Sequence, residues 1–145
     1  MRAKRLFGTR GVRGPIATKA TPELALKLGL ALASQVGGGK VVVARDSRTS
    51  GEMLGHALTA GLLAGGSNVV NIGLAPSPCV AFTTREIGAR AGVVITASHN
   101  PPPDNGFAFY GPDGMEFLTE QELNLEDLVF GERFKRASWD SLGSV

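Results

Sequence analysis

The sequence predicts an α/β fold: a single domain over residues 1–145 in which helices cover both faces of a mostly parallel, mixed sheet. Short β-branched runs alternate with amphipathic helical stripes, and the stripes end at glycines. A hairpin pattern and a helical pattern follow in the last third. A chain of 145 residues is long enough to bury one core. We therefore expect a three-layer α/β/α domain with a C-terminal hairpin and helix.

The first half of the chain predicts a helix, a buried strand and a second helix. Thr21 and Pro22 are a typical N-cap and first helical residue, and this helix is expected to end at Gly37. The run Val41–Arg45 is apolar on both faces, as in strands inside a parallel sheet. A second amphipathic stripe begins at Gly51 and ends at a pair of glycines, which predicts a helix that returns to the sheet.

The second half predicts two further strands, two helices and a hairpin. Short apolar runs bounded by turn residues indicate strands at Asn68–Ile72 and Ala91–Thr96, with a helix at Ala81–Ile87 between them. The remaining expected elements are a hairpin of Phe107–Tyr110 and Met115–Leu118 around the turn GPDG, and a helix from a capping box of Thr119 and Glu122 through Val129, followed by irregular residues.

Composition excludes several classes of protein. Hydrophobic residues make up 43% and charged residues 19%, which excludes a disordered chain. No apolar run reaches the roughly 20 residues of a membrane span, and the basic start lacks the apolar stretch of a secretory signal, so we expect a cytoplasmic protein without membrane contact. The net charge is +2 and no basic stripe is interleaved with aromatics, so nucleic acid is not expected as a partner. Cys79, the one cysteine, is expected to be a small buried side chain.

One edge of the predicted sheet gathers the polar loops. In open α/β sheets, ligands bind outside the carboxyl ends of the strands. The loops after the three predicted parallel strands leave from that edge, which is expected to bring Arg48, Ser77 and Ser98 together.

Two segments carry the strongest chemical signals, FGTRGVRG at Phe7–Gly14 and TASHNPPPDNG at Thr96–Gly106. Three prolines restrict the second segment and can hold Ser98 in the one pose that a phosphoryl-accepting hydroxyl needs. Glycines in the first segment let backbone amides approach an anion, and arginines bind phosphate oxygens. Each segment alone is also compatible with a plain turn.

Two other kinds of site, that of a serine hydrolase and that of a nucleotide-binding P-loop, fit the sequence poorly. A serine hydrolase would need a GxSxG elbow, and the adjacent Ser98 and His99 are not expected to form the nucleophile-to-base hydrogen bond easily. The GGGK at Gly37–Lys40 lacks the spacing of a nucleotide-binding P-loop and enters a strand, so it predicts a helix C-cap and turn.

Four segments in order, LFGTRGVRG, ARDSRTSG, PSP and TASHNPPPDNG, resemble the α-D-phosphohexomutases, a family that includes phosphomannomutases, phosphoglucomutases and phosphoglucosamine mutases. The resemblance implies the first of four domains, with domains II to IV absent from this chain. It also implies an intramolecular phosphotransferase that interconverts hexose 1-phosphate and hexose 6-phosphate through a bisphosphate, with glucose 1,6-bisphosphate as activator. The isolated chain is expected to be inactive, because the domains that recognise the sugar are missing.

The resemblance assigns roles to individual residues. Ser98 is expected to carry the transferred phosphoryl group, with His99 and Asn100 orienting it and Arg13 also in the catalytic set. Phosphate binding is expected of Thr9 and Arg13, and also of Arg10, which has no fixed counterpart in the family; structural support is expected of Asp46 and Arg48. Mg²⁺ is implied between the phosphate of Ser98 and three aspartates of a second domain, whose DxDxD pattern this sequence lacks.

The chain departs from the family pattern at two positions. Members commonly read NGxK after the serine loop, with a lysine thought to assist proton transfer, whereas this sequence reads NGFAF and has Ala108 there. Arg10 or Arg13 could offset that loss. Pro103 stands where many members carry another residue. The second hypothesis is therefore a non-catalytic module that binds sugar phosphates or a partner chain.

Overall fold

A computed structural model describes residues 2–145 of the chain. Strands and helices alternate as expected, and the α/β class is confirmed. The elements of the described chain are β1 (Val12–Pro15), α1 (Pro22–Val36), β2 (Gly39–Arg45), α2 (Gly51–Ala64), β3 (Ser67–Leu74), α3 (Ser77–Glu86), β4 (Ala91–Ile95), β5 (Asp104–Tyr110) and α4 (Thr119–Gly131).

The five strands form one mixed sheet in the order β1-β5-β4-β2-β3. Strand β2 pairs in parallel with β3 and β4, whereas β5 pairs antiparallel with β4 and β1. Helices α1, α2 and α4 cover the face that holds the main hydrophobic core, and α3 covers the other face over a smaller cluster. The expected three layers are therefore present.

Strand β1 is an element that the sequence did not predict. Its first three residues belong to the glycine-rich segment, and it pairs with β5, where Val12 lies opposite Phe107. The two backbones meet so closely that a Cβ atom on Gly106 would lie 2.1 Å from the carbonyl oxygen of Val12. Because the pairing is tight, the segment Phe7–Gly14 is fixed directly beside the serine loop.

The C-terminal hairpin forms only in part. The turn after β5 closes as expected, with the Gly114 N–H donating to the carbonyl of Gly111 at 2.9 Å. The returning residues then make one isolated bridge, between Tyr110 and Glu116, and no second strand forms in the described chain. The predicted return strand at Met115–Leu118 is therefore wrong.

Three smaller expectations about helices also need correction. Helix α4 begins at Thr119, so Thr119 is not its N-cap; instead the Leu118 N–H donates to the side chain of Gln121 at 2.8 Å. Helix α3 begins at Ser77, earlier than expected, because proline fits the first helical turn. Cys79 is exposed, since it lies on the outer side of α3 next to the buried Val80.

The residues after α4 are irregular, as expected, but they are fastened to the domain. The Ala137 N–H donates to the carbonyl of Ala64 at 2.9 Å, and the Gly143 N–H donates to that of Leu63 at 3.0 Å. The Val69 N–H on the edge strand β3 donates to the carbonyl of Ser144 at 2.8 Å. In the part of the chain described, no helix has both the length and the apolar character to cross a membrane.

Helices α1 and α2 touch through glycines. A Cβ atom on Gly61 would lie 2.2 Å from the carbonyl oxygen of Leu26, and one on Gly29 would lie 2.3 Å from that of Leu58. Contacts this short leave no room for a methyl group, so the two glycines set the distance between the helices.

Replacing Gly61 with alanine is expected to lower the free energy of unfolding by about 1–3 kcal/mol, because overpacking outweighs the better helix propensity of alanine. Gly55→Ala in the same helix is the matched control, since its Cβ would meet only the Cδ1 of Ile95 at 3.4 Å. Urea unfolding of both variants measures the difference. A Gly61→Ala chain as stable as Gly55→Ala would show that α1 and α2 can separate without cost.

Candidate active site

A cavity of about 410 Å³ lies where the serine loop, the glycine-rich segment and the start of α3 meet. Its polar lining comprises two arginines, two glutamates and two serines among other groups, namely Arg10, Arg13, Glu116, Glu122, Ser77 and Ser98, and its apolar wall includes Ala108 and Phe109. The expected meeting of Ser77 and Ser98 is found, while Arg48 lies behind the serine loop and contacts its backbone. An exposed hydroxyl and two arginines therefore border the same cavity.

Ser98 has an uncommon backbone conformation. Its φ is 55°, in the left-handed region that non-glycine residues seldom adopt. The Ser98 N–H donates to the hydroxyl of Thr96 at 3.1 Å, and its Oγ lies 3.0 Å from Nδ1 of His99. This conformation turns the hydroxyl toward the neighbouring ring, so the expectation that adjacent Ser98 and His99 would not easily hydrogen-bond is wrong. Within the described residues no carboxylate binds His99, so the pair lacks the third member of a triad.

Arg48 holds the serine loop from behind. Its guanidinium group donates to four carbonyl oxygens of the loop, those of Ser98 at 2.9 Å, Asn100 at 2.8 Å, Pro101 at 2.9 Å and Asp104 at 3.0 Å. A planar group with five donors is suited to such convergent bonding. Because the bonds span the loop, Arg48 connects the strained backbone at Ser98 to the segment after β2.

Asp46 completes the connection. Its carboxylate accepts the backbone N–H of Arg48 at 3.0 Å and the hydroxyl of Thr96 at 2.7 Å, and it lies 3.4 Å from Nε of Arg48. The contacts of Asp46 and Arg48 therefore have the form that structural support requires.

Sequence reasoning missed a second connection to the same loop. The buried side chain of Asn105 donates to the hydroxyl of Ser50 at 2.9 Å, and its Oδ1 accepts the N–H of Gly106 at 2.8 Å. Both residues belong to the motifs that were recognised, but nothing in the motifs indicates that an asparagine in one binds a serine in the other.

The glycine-rich turn presents its side chains to two different cavities. Arg10 and Arg13 line both the Ser98 cavity and a neighbouring cavity of about 300 Å³, whereas Thr9 and Lys19 line only the second of these. Thr9 was expected to border the Ser98 cavity, but it does not line that cavity. In residues 2–145 no carboxylate pairs with Arg10 or Arg13, so both cations are free to meet an anionic ligand.

The contacts of Asn100 also differ from those that its expected role requires. Its Nδ2 donates to the carboxylate of Asp104 at 3.1 Å, within the loop, and does not contact the Ser98 hydroxyl. In this structure Asn100 stabilises the loop rather than the side chain of Ser98.

The chain does not build a metal site of its own. Among residues 2–145, no group of three His, Cys, Asp or Glu side chains can hold a metal ion. The loop carbonyls nearest Ser98 are already bonded to Arg48, whereas Mg²⁺ prefers carboxylate, phosphate and water oxygens. The side chains present therefore do not fit Mg²⁺ without oxygen ligands from outside this chain.

These features define an α/β/α domain that presents an exposed serine, on a restrained loop, to a cavity lined by two arginines and two glutamates. Comparison with known proteins agrees with that class. The chain belongs to the phosphoglucomutase/phosphomannomutase family, because residues 4–136 match the family model described as "Phosphoglucomutase/phosphomannomutase, alpha/beta/alpha domain I". The resemblance noted from the four motifs is thereby confirmed.

Individual relatives match nearly all of this chain, but only over about a third of their own length. The chain is 50% identical over 139 residues to a "Probable phosphoglucosamine mutase" of Pyrococcus abyssi, and 49% identical over 141 residues to a "Phosphopentomutase" of Thermococcus kodakarensis. The alignments cover 96% and 97% of this chain but 31% of each relative. A crystal structure of a phosphoglucomutase/phosphomannomutase family protein from Burkholderia thailandensis matches with a TM-score of 0.80 and 34% identity, covering 93% of this chain and 31% of that one. The chain thus spans about a third of the proteins it matches.

Proposed function

We propose that this chain is the phosphoserine domain of a sugar-phosphate mutase in which Ser98 carries the phosphoryl group between the C1 and C6 oxygens of a hexose phosphate. The observation that carries the proposal is the restrained, exposed hydroxyl of Ser98 in a cavity that is also lined by two arginines, neither of which forms an ion pair within residues 2–145. In-line phosphoryl transfer depends on positioning and on charge neutralisation, and this arrangement supplies both.

The transfer proceeds in two steps. A sugar hydroxyl attacks phosphoserine 98, so the bond between phosphorus and the serine Oγ breaks while a bond to the sugar oxygen forms. The product is a hexose bisphosphate; the sugar hydroxyl gives up its proton and Oγ takes one up, and the second step reverses this exchange. After reorientation the bisphosphate returns its other phosphoryl group to Oγ, which moves the phosphate between C1 and C6 overall.

The side chains around Ser98 have distinct parts in these steps. Arg10 and Arg13 bind and neutralise the phosphate oxygens as charge shifts. His99, at 3.0 Å from the Ser98 Oγ, holds or returns the proton at that atom. Arg48 keeps the loop carbonyls in place, so that Oγ stays aligned with its donor.

Activity requires groups from outside this chain. A Mg²⁺ ion would supply charge neutralisation at the phosphate of Ser98, with its carboxylate ligands coming from the remaining domains. Glucose 1,6-bisphosphate would load Ser98 with its first phosphoryl group. The partners of the domain are therefore hexose phosphates and the rest of the mutase, and a cytoplasmic location stays a prediction.

This domain does not select the sugar. The two relatives near 50% identity carry the names of a phosphoglucosamine mutase and a phosphopentomutase, although they match the chain equally well. The residues that choose between hexose, hexosamine and other sugar phosphates are expected in the two thirds of the enzyme that this chain does not cover.

A non-catalytic binding module is the second candidate. The observation that favours it is Ala108, which lines the cavity at the position where the family resemblance implies a lysine. In that case the cavity would bind sugar phosphate without forming a phosphoserine.

The test is to incubate the chain with glucose 1,6-bisphosphate and Mg²⁺, with and without the remaining domains, and to map phosphate by mass spectrometry. We expect one phosphate, on Ser98, only when the remaining domains are present. Ser98→Ala should abolish it, while Ser77→Ala, which removes another hydroxyl from the same cavity, should retain it. Turnover with phosphate on a different residue would refute the assignment, and no phosphate under either condition would favour the binding module.

A further inference from the structure

A buried carboxylate on α4 binds the backbone that leads into the cationic turn. The side chain of Glu126 is fully buried. Its Oε1 accepts the N–H groups of Arg5 at 3.0 Å, Leu6 at 2.7 Å and Phe7 at 3.0 Å, and its Oε2 accepts the guanidinium of Arg2 at 2.8 Å. Three successive backbone N–H groups therefore converge on one carboxylate.

This arrangement is the intramolecular counterpart of an anion-binding nest, in which consecutive N–H groups surround a negative charge. Burial would raise the pKa of the Glu126 carboxyl, but the hydrogen bonds from Arg2 and from the backbone of Phe7, Leu6 and Arg5 outweigh it and lower the pKa to about 2. The Glu126 carboxyl is therefore ionised at neutral pH, and hydrogen bonds to an ionised acceptor are stronger than those to a neutral one.

Neighbouring charges on α4 bind side chains of the same segment but not its backbone. Arg2 also reaches Asp127 at 2.6 Å, Lys4 pairs with Glu122 at 2.5 Å, and the Arg5 guanidinium lies 4.1 Å from the ring centroid of Phe130. Of the acidic side chains that the structure describes, Glu126 is the one that receives N–H groups from residues 5–7.

The bound segment continues directly into the turn that carries the two arginines. Phe7 lines the Ser98 cavity, and its ring packs on Phe109 with centroids 5.5 Å apart. The Gly8 N–H then donates to the carbonyl of Gly11 at 2.8 Å, and β1 begins at Val12. The turn is thus held at one end by β1 and at the other by the backbone that Glu126 binds.

We propose that Glu126 is a positioning residue whose carboxylate fixes the backbone of Arg5–Phe7 and thereby orients the turn that presents Arg10 and Arg13 to the Ser98 cavity. The proposal rests on the proposed function in one respect, since it takes the two arginines to bind phosphate. It does not need phosphoryl transfer to occur.

The experiment measures the turn directly in the 145-residue chain by NMR. Amide hydrogen exchange is followed at residues 5–8, and inorganic phosphate is titrated while the amide signals of residues 8–13 are observed. In Glu126→Gln, exchange at Arg5–Phe7 is expected to accelerate about 10-fold to 100-fold, because bonds to a charged acceptor are lost. The affinity of the turn for phosphate is expected to fall about tenfold, because displacement of the turn should cost it roughly one of its contacts with phosphate.

Asp127→Asn is the matched control, because it removes a carboxylate from the next residue of α4 and from the same Arg2 without touching the backbone. It should leave both readouts unchanged. Glu126→Asp keeps the charge but shortens the reach, so it should give intermediate values, and it decides the question if Glu126→Gln does not fold.

Three results would overturn the proposal. The first is a folded Glu126→Gln chain whose turn binds phosphate as the wild type does. The second is exchange that rises uniformly over the whole chain, which a purely structural role would produce. The third is a wild-type turn that does not respond to phosphate. Phosphate mapping on Ser98 is independent of all three, so failure of this proposal and failure of the proposed function can be told apart.

Discussion

Replacing Arg48 with methionine is expected to slow phosphorylation of Ser98 about 100-fold, because a displacement of about 1 Å at a reacting group has an effect of that size. Methionine keeps much of the apolar stem but none of the donors that bind four loop carbonyls. The left-handed backbone at Ser98, with φ 55°, would then lose the contacts that maintain it. The measurement is the time course of Ser98 phosphorylation by glucose 1,6-bisphosphate in the presence of the remaining domains.

The control for Arg48→Met is Arg45→Met, in the same motif. Arg45 is half-buried, and its guanidinium donates to the carbonyl of Asp46 at 3.3 Å and to no carbonyl of the serine loop within residues 2–145. Its replacement should therefore leave the rate within about twofold, a change of under about 0.5 kcal/mol. Arg48→Lys should recover only part of the rate, since an ammonium group cannot reproduce the planar fork of donors. A wild-type rate in Arg48→Met would mean that the prolines and Asp46 hold the loop without Arg48.

Replacing Ala108 with lysine is expected to raise the rate of phosphoryl transfer about 100-fold, within the range that a positioned acid or base contributes. Ala108 is half-buried on β5 and lines the same cavity as Ser98, Arg10 and Arg13. A lysine there would add a cation close to the oxygen that gains and loses a proton. The rate is measured in the same assay as for Arg48.

Ala108→Met separates charge from size, because it lengthens the side chain without adding a cation and should give no gain. If Ala108→Lys also gives none, then Arg10 or Arg13 already supplies the charge, and Arg10→Ala should slow the reaction. If every one of these variants stays inactive while inorganic phosphate still binds, the binding module becomes the better description.

Several elements follow from signals contained in a few adjacent residues. Thr21 caps α1 by accepting the N–H of Leu24 at 3.2 Å, and Gly37 ends the helix in the left-handed conformation, with φ 73°. The β-branched run after it forms β2, buried in the sheet as expected. Each of these signals is local, since the residues that form the structure are also those that carry the pattern.

Other expectations failed where a side chain's surroundings come from distant elements. Cys79 is exposed because it lies on the outer side of α3, and the periodicity of a ten-residue helix gives little indication of which side faces the sheet. The return arm of the hairpin forms one bridge and then leaves for α4, so the predicted second strand does not form in the described chain. Strand β1 exists because β5 offers it a partner nearly 100 residues later in the chain.

The candidate site likewise combines residues that local sequence signals indicate with contacts that come from distant elements. Short motifs single out Ser98, Arg10 and Arg13 as candidates, because a phosphate site is expected to use those residue types within a few positions. The contacts that aim them come from far along the chain: Arg48 reaches carbonyls about 50 residues away, and Glu126 binds backbone about 120 residues away. Local sequence signals specify which groups are present in the site. The pairings of Arg48 and Glu126 form only once the sheet and α4 have come together, because a hydrogen bond requires its two heavy atoms to lie within about 3 Å of each other, whatever their separation in the chain.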